Sequence, residues 1–270
     1  MVTFVTCWYE LQSKYDKDSY ERWIDNFLSN VNNFNLVIFT NKHSYHMVEH
    51  YRENPKIRIV LRELEEFYNY RYKEQWIKNH DKNVLLNNKT CWEVNMLWNE
   101  KTHFVEHAYN HQYFESDWWG WCDIGYFRGR PCDLNIDLIK QWPNEDIINE
   151  LDKNKIHYGN VNGDMTRTYE IYKRIMVKNE NGLPFVEIPP DEIFIAAGFF
   201  VIYEKNIAWW NDTHDRKLKL YFDNEYLVKD DQIIVLDNIV SHIKQIKIHT
   251  EFSNGQYDNW FMFQRLLLSI

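Results

Sequence analysis

Glycine and proline are scarce in this chain, at 8 and 6 of 270 residues. No Gly/Ser- or Pro-rich linker and no internal repeat divides it, so few loose hinges are expected. One domain over residues 1–270 is the natural reading, with halves of about 1–130 and 131–270 sharing a cleft. Cysteine is also sparse: Cys7, Cys91, Cys122 and Cys132 stand singly, with no CxxC pair. That excludes a disulfide framework and the usual zinc motifs, and points to a reducing compartment. A basic surplus is missing too. Lys and Arg total 31 against 40 Asp and Glu, a net charge of −9, which argues against nucleic acid or an anionic membrane as main partner. The longest near-apolar run, residues 193–203, falls well short of the ~20 residues that span a bilayer as a helix. No transmembrane segment is therefore expected. The opening Met-Val-Thr-Phe-Val-Thr has no basic n-region, so a cytoplasmic protein is expected. The motifs GxxxxGK[ST], GxGxxG after a strand, and GxSxG are all absent, which removes the P-loop, dinucleotide and serine-hydrolase readings.

What the chain has is aromatic mass: 12 Trp, 18 Tyr and 16 Phe. Trp combines large apolar area with one polar handle and serves both cores and ligand platforms. Apolar runs predict buried strands at residues 2–9, 35–40, 56–61, 118–124 and 193–203, with a short last strand at 245–249. Helical spacing predicts a helix over 19–31, with Tyr20, Trp23, Ile24, Phe27, Leu28 and Val31 on one face. Further helical segments are expected at 44–52, 63–80, 90–111 and 231–242. Pro143 argues against one unbroken helix over 137–149. Residues 179–190 are the most loop-like. Strands alternating with helices in the first sixty residues imply βαβ units and an α/β fold around a mostly parallel sheet flanked by helices.

Four places hold chemistry. On a wheel of 3.6 residues per turn, Val94, Leu97, Trp98, Phe104, Val105 and Ala108 fall within about 60 degrees of Lys101. A lysine in the middle of an apolar face either snorkels out or holds an anion. His103, His107 and His111 lie opposite, on the face expected to be solvated. The block Trp121-Cys122-Asp123-Ile124-Gly125-Tyr126-Phe127-Arg128 is a buried strand running into a carboxylate and a glycine. Ligands of open α/β sheets bind beyond such strand ends. Asp123 there either caps a turn or meets a divalent cation. Gly125 would let a ligand approach the backbone, and Arg128 and Arg130 would meet phosphate or a carboxylate. The small residues of Ala196-Ala197-Gly198 inside an apolar strand imply a close neighbour, ligand or helix. Asp230 and Asp231 begin a helix, as caps or as a general base. His249, alone at the end of the last strand, reads most simply as structural.

In order and spacing, these pieces resemble the HtrL/YibB (WlaTC-type) glycosyltransferase family. The matching pieces are Thr3-Phe4-Val5-Thr6-Cys7-Trp8-Tyr9, Val37-Ile38-Phe39-Thr40, Lys101, the Trp121–Arg128 block, Ala197-Gly198-Phe199-Phe200 and Asp231-Gln232. The resemblance implies a GT-A-like fold with a Rossmann-like nucleotide half. It implies transfer of a sugar from a nucleotide-sugar donor, a UDP-sugar favoured, to a glycan or other hydroxyl acceptor. Thr6, Lys101, Gly125, Arg128, Ala197, Gly198 and Gln232 would then bind substrate. Asp231, or after it Asp230, would take the acceptor proton if configuration inverts; if it is retained, Asp231 would position the sugar. Asp123 falls where the family's Asp-x-Asp motif holds Mn²⁺ or Mg²⁺, but Trp121 stands in place of the first carboxylate. Either His249 completes a metal site with Asp123, or cations such as Lys101 and Arg128 replace the metal. A carbohydrate-binding protein without catalysis and an inactive relative are the alternatives.

Overall fold

The computed structural model describes residues 1–252 and 255–268. Strand β1 (Val2–Trp8) is buried at every position and forms the middle of the architecture. Helix α1 (Lys17–Leu28) follows, its N-terminus capped by the Asp16 carboxylate, which accepts from the Ser19 amide at 2.7 Å. Its apolar stripe of Trp23, Ile24, Phe27 and Leu28 lies against the sheet. Next come β2 (Phe34–Thr40), β3 (Ile57–Leu61), α2 (Lys73–Lys82), α3 (Trp92–Asn99), α4 (Lys101–Asn110) and β4 (Trp118–Cys122). The remainder is α5 (Ile136–Ile139), α6 (Glu145–Glu150), β5 (Ile156–Asn160), α7 (Met165–Met176), β6 (Ile195–Tyr203), α8 (Ile207–Asp223), α9 (Asp231–Ser241), β7 (Ile246–His249) and α10 (Met262–Leu266).

These strands form one seven-stranded sheet in the order β3-β2-β1-β4-β6-β5-β7. Only β6 runs antiparallel to its neighbours, β4 and β5. The expected α/β class with a mostly parallel, helix-flanked sheet is what the chain forms. Alternation along β1 sends Val5 and Cys7 to one face and Phe4 and Trp8 to the other. The first face is covered by α4, α7, α8 and α9, the second by α1, α5, α6 and α10. Much of the aromatic surplus is core: Trp76, Trp118, Trp119, Trp121, Trp142 and Trp210 are fully buried.

Two features position the site. The chain leaves β1 for β2 on one side, whereas β4 pairs on the other, so the strand order reverses between β1 and β4. Ligands of open α/β sheets bind at such a switch point. The second feature is Gly120, in the middle of β4. A Cβ there would lie 2.3 Å from the Phe200 carbonyl oxygen and 3.0 Å from the Phe4 ring. Only glycine lets β6 close onto β4.

The segment 44–52 is not an α-helix but two short 3₁₀ turns, Tyr45–Met47 and Glu49–Glu53. The segment 63–80 is likewise two 3₁₀ turns followed by α2. The helix expected over 90–111 is interrupted at Glu100. Strand β5 and helices α7 and α8 were not foreseen.

Candidate functional site

Glu100, where the helix is interrupted, accepts the backbone amides of Tyr68 at 2.7 Å and Asn69 at 3.0 Å with its buried carboxylate. Burial nevertheless raises its pKa to about 7. The break leaves Lys101 as the first residue of α4, still aimed at the sheet as the wheel requires. Its side chain is 7% exposed. The ammonium lies 3.0 Å from Asp123 Oδ1 and 2.8 Å from Asp231 Oδ2, and donates to the Ala197 carbonyl at 3.1 Å. Burial works against that charge, but the two carboxylates outweigh it and raise the Lys101 pKa.

Three elements meet at this ammonium. Asp123 follows the last residue of β4, and its amide donates to the Gly198 carbonyl at 2.8 Å. Its Oδ1 also accepts from Trp121 Nε1 at 2.6 Å. Its Oδ2 lies against Gly198 of β6, only 2.8 Å from where a Cβ would be. Asp231 opens α9 and is almost wholly buried; desolvation raises its pKa to about 6 against the opposing pull of Lys101. Asp230 is the N-cap, accepting from the Gln232 amide at 3.2 Å, from Gln232 Nε2 at 3.0 Å and pairing with Lys229 Nζ at 3.1 Å. With both its oxygens engaged, Asp230 is less suited than Asp231 to take a proton.

Two adjoining chambers open here, of about 790 and 1090 Å³, open to solvent. The first is aromatic. Trp8 and Tyr9 at the end of β1, Tyr20 and Trp23 of α1, Trp98 of α3 and Trp121 line it. The second is charged, with Arg128, Arg130, Lys229, Asp230, Asp231 and Asp258 on its wall beside Ala197, Gly198 and Gln232. Lys101, Asp123 and Arg128 border both. Arg128 is braced by Nε donating to the Gly125 carbonyl at 3.1 Å and Nη1 donating to the Tyr15 hydroxyl at 3.0 Å. Its guanidinium sits 4.4 Å from the Trp23 ring centre.

Three expectations need correction, for Thr6, His103 and His249. Thr6 lines neither chamber: β1 continues to Trp8, so Thr6 lies two residues below the strand end and is wholly buried. Gly125 does border the aromatic chamber, and its lack of a side chain also serves packing. A Cβ there would stand 2.8 Å from the Trp23 ring. His103 is buried rather than solvated, because α8 covers it and Asn211 Nδ2 meets its Nδ1 at 3.0 Å. His249 also lines neither chamber. Its Nε2 faces His157 Nδ1 at 2.9 Å, and burial lowers its pKa to about 4.

The residues therefore do not fit the divalent ion expected at Asp123. Lys101 already stands between the two carboxylates, Trp121 donates to Asp123 Oδ1, and His249 is turned to His157. Among the described residues, no group of three or more His, Cys, Asp or Glu side chains is placed to hold a metal.

Sequence reasoning missed Tyr9, Trp98, Asp258 and Trp260. The first two carried a signal, as aromatics one or two turns from a strand end or from Lys101. Asp258 and Trp260 lie in a segment without periodicity. Among the described residues no helix is long and apolar enough to cross a membrane.

No family model matches the chain, and no curated protein matches it. Among solved structures it is similar to the galactosyltransferase LgtC, solved with donor and acceptor sugar analogues, at 11% identity and a TM-score of 0.47 over 92% of this chain and 73% of that one. A likeness of that degree concerns the general path of the chain and gives no residue correspondence.

Proposed function

We propose that the double chamber binds a nucleotide-sugar, a UDP-sugar first among donors, and transfers its sugar to a hydroxyl of a glycan acceptor. The observation that carries this reading is the aromatic chamber joined to a charged one at the reversal of strand order, with Lys101 and Asp123 at the junction and Asp231 beside them in the charged chamber. The aromatic walls suit a nucleoside, which stacks on π-faces. Arg128, braced at the boundary, suits the diphosphate. The sugar then lies in the charged chamber by Ala197 and Gly198.

In the inverting course, the bond from the anomeric carbon to the diphosphate oxygen breaks, and its electron pair leaves with the diphosphate. The acceptor oxygen bonds to the anomeric carbon, and its proton passes to the Asp231 carboxylate. A retaining course leaves Asp231 positioning the sugar, and product stereochemistry distinguishes the two. The resemblance of the Trp121–Arg128 block to the HtrL/YibB family agrees with this reading. A second reading, glycan binding without transfer, draws on Trp98 and Trp260 at the chamber rims.

The test is incubation with labelled UDP-sugars and a mixed glycan acceptor pool, following release of UDP and label transfer. Transfer or slow donor hydrolysis by the wild type, reduced at least about 10²-fold in Asp231→Asn, is expected. Glycan binding with no nucleotide turnover would favour the second reading.

A further inference from the structure

Among the described residues, Lys101 is the one lysine enclosed between two carboxylates at the site. Its ammonium donates to the Ala197 carbonyl at 3.1 Å and is ion-paired with Asp123 Oδ1 at 3.0 Å and Asp231 Oδ2 at 2.8 Å. Such an arrangement leaves no place between the carboxylates for a second cation. A divalent ion at Asp123 would have to expel the ammonium or sit against it with like charge in a desolvated pocket. Trp121 reinforces the exclusion. An indole N–H donates but cannot ligate, and it spends Asp123 Oδ1 on a hydrogen bond of 2.6 Å. A second carboxylate at that position would have done the opposite.

We propose that Lys101 is the resident cation of this site, so that the cleft binds its diphosphate ligand without a divalent metal. The inference rests on the nucleotide-sugar reading for the identity of the ligand, but not for the exclusion of the metal. Of the three partners, only the Ala197 carbonyl is uncharged. It is the contact a phosphate oxygen displaces most readily, leaving the ammonium anchored by both carboxylates. Arg128, on the same wall, adds positive charge of the kind a divalent ion would otherwise supply. Arg130 also lines that wall, but its charge is met by Asp133 and Asp258, each at 2.8 Å. Departure of a nucleoside diphosphate then needs no metal to receive its charge.

The experiment has two arms on the full chain. In the first, free Mn²⁺ is counted by electron paramagnetic resonance during titration of wild type, Asp123→Asn, Lys101→Met and Lys101→Met/Asp123→Asn. The wild type is expected to bind no Mn²⁺. Lys101→Met, whose carboxylates have lost their cation, is expected to bind one equivalent, and the double variant none. One Mn²⁺ bound by the wild type and lost in Asp123→Asn overturns the proposal, as does a folded Lys101→Met that binds none. Should Lys101→Met fail to fold, Lys101→Gln replaces it, and the wild-type and Asp123→Asn titrations still decide. In the second arm, calorimetric titration with UDP is run in EDTA and in Mn²⁺. Affinities within about twofold are expected; loss of binding in EDTA overturns the proposal. Absence of UDP binding in both media would count against the nucleotide-sugar reading alone, because the Mn²⁺ arm reads Lys101 independently.

Discussion

At Asp231 burial and Lys101 pull in opposite directions, and burial prevails, setting the carboxyl near pH 6 rather than at its ordinary 3.8. A base acts only when deprotonated. Turnover is therefore expected to fall as pH drops through about 6 and to level off above it, and Asp231→Asn should remove that limb with the activity. A pH–rate profile checks this; a limb unchanged in a residually active Asp231→Asn would assign it elsewhere. Gly198 is a sharper probe of Asp123. A methyl there would lie 2.8 Å from Asp123 Oδ2, so Gly198→Ala must push the carboxylate off its place. The fold should survive, since the neighbour is a side chain 38% exposed, while turnover falls about tenfold or more, a loss of ~1.4 kcal/mol in transition-state stabilisation. Circular dichroism and steady-state kinetics separate the two. Lys101 was legible in the sequence because a helical wheel needs only phase, and the break at Glu100 preserved it. Thr6 was misplaced because a motif names a neighbourhood. Whether a residue sits at the strand end or two steps inside it is decided by where the strand stops.

Strands were the most legible elements, since β1, β2 and β4 are continuous apolar runs buried on both faces. Strand β5, Ile-His-Tyr-Gly-Asn, was hidden because its polar residues find partners only in the fold. His157 meets His249 and the Asp152 carbonyl, and Asn160 meets the Asn162 carbonyl. Helix α8 was hidden for a related reason. Its buried face carries Asn211, Thr213 and His214 beside Trp210 and Leu218, so its stripe is not apolar. Those polar side chains make a prediction. His214 and His103 are buried in α8 and α4, and desolvation lowers both pKa values, that of His214 to about 3. Both are neutral in the fold, whereas an unfolded histidine takes a proton below about 6.5. Stability is thus undiminished above 6.5 and declines as pH falls from there toward 3. Each histidine contributes a slope of up to about 1.4 kcal/mol per pH unit. Urea melts at pH 7 and 5 should show the loss, and His214→Leu should flatten it; equal slopes in both proteins would refute a buried neutral His214. Gly120→Ala belongs to this scale as well. The Cβ would meet backbone, the Phe200 carbonyl at 2.3 Å, so β4 and β6 must part. A destabilisation of about 3 kcal/mol or outright misfolding is expected. Wild-type-like melting would mean that the two strands have slack.

For the whole molecule, the sheet order matters more than any motif. Because β1 and β4 run parallel while their connections lead to opposite sides, a crevice opens beyond Trp8 and Cys122 whatever residues fill it. The sequence specified the occupants: tryptophans from β1, α1 and α3 on one wall, and Lys101 with its carboxylates on the other. The segments that return to complete the charged wall, with Arg130, Asp258 and Trp260, have no periodic pattern and could be placed only by the fold. The central claim is that this crevice is a nucleoside-diphosphate site. Its most direct test is a thermal-shift panel of UDP, GDP, CMP and dTDP in EDTA, on wild type and on Trp98→Ala with Arg128→Ala. A ligand at about 100 times its dissociation constant adds roughly 2.7 kcal/mol, which in a chain of this size raises the midpoint by about 2 °C or more. The account predicts such a rise for one diphosphate with the wild type and its loss in the double variant. A wild type that melts cooperatively with no rise for any nucleotide, with EDTA or with Mn²⁺ in its place, would contradict it.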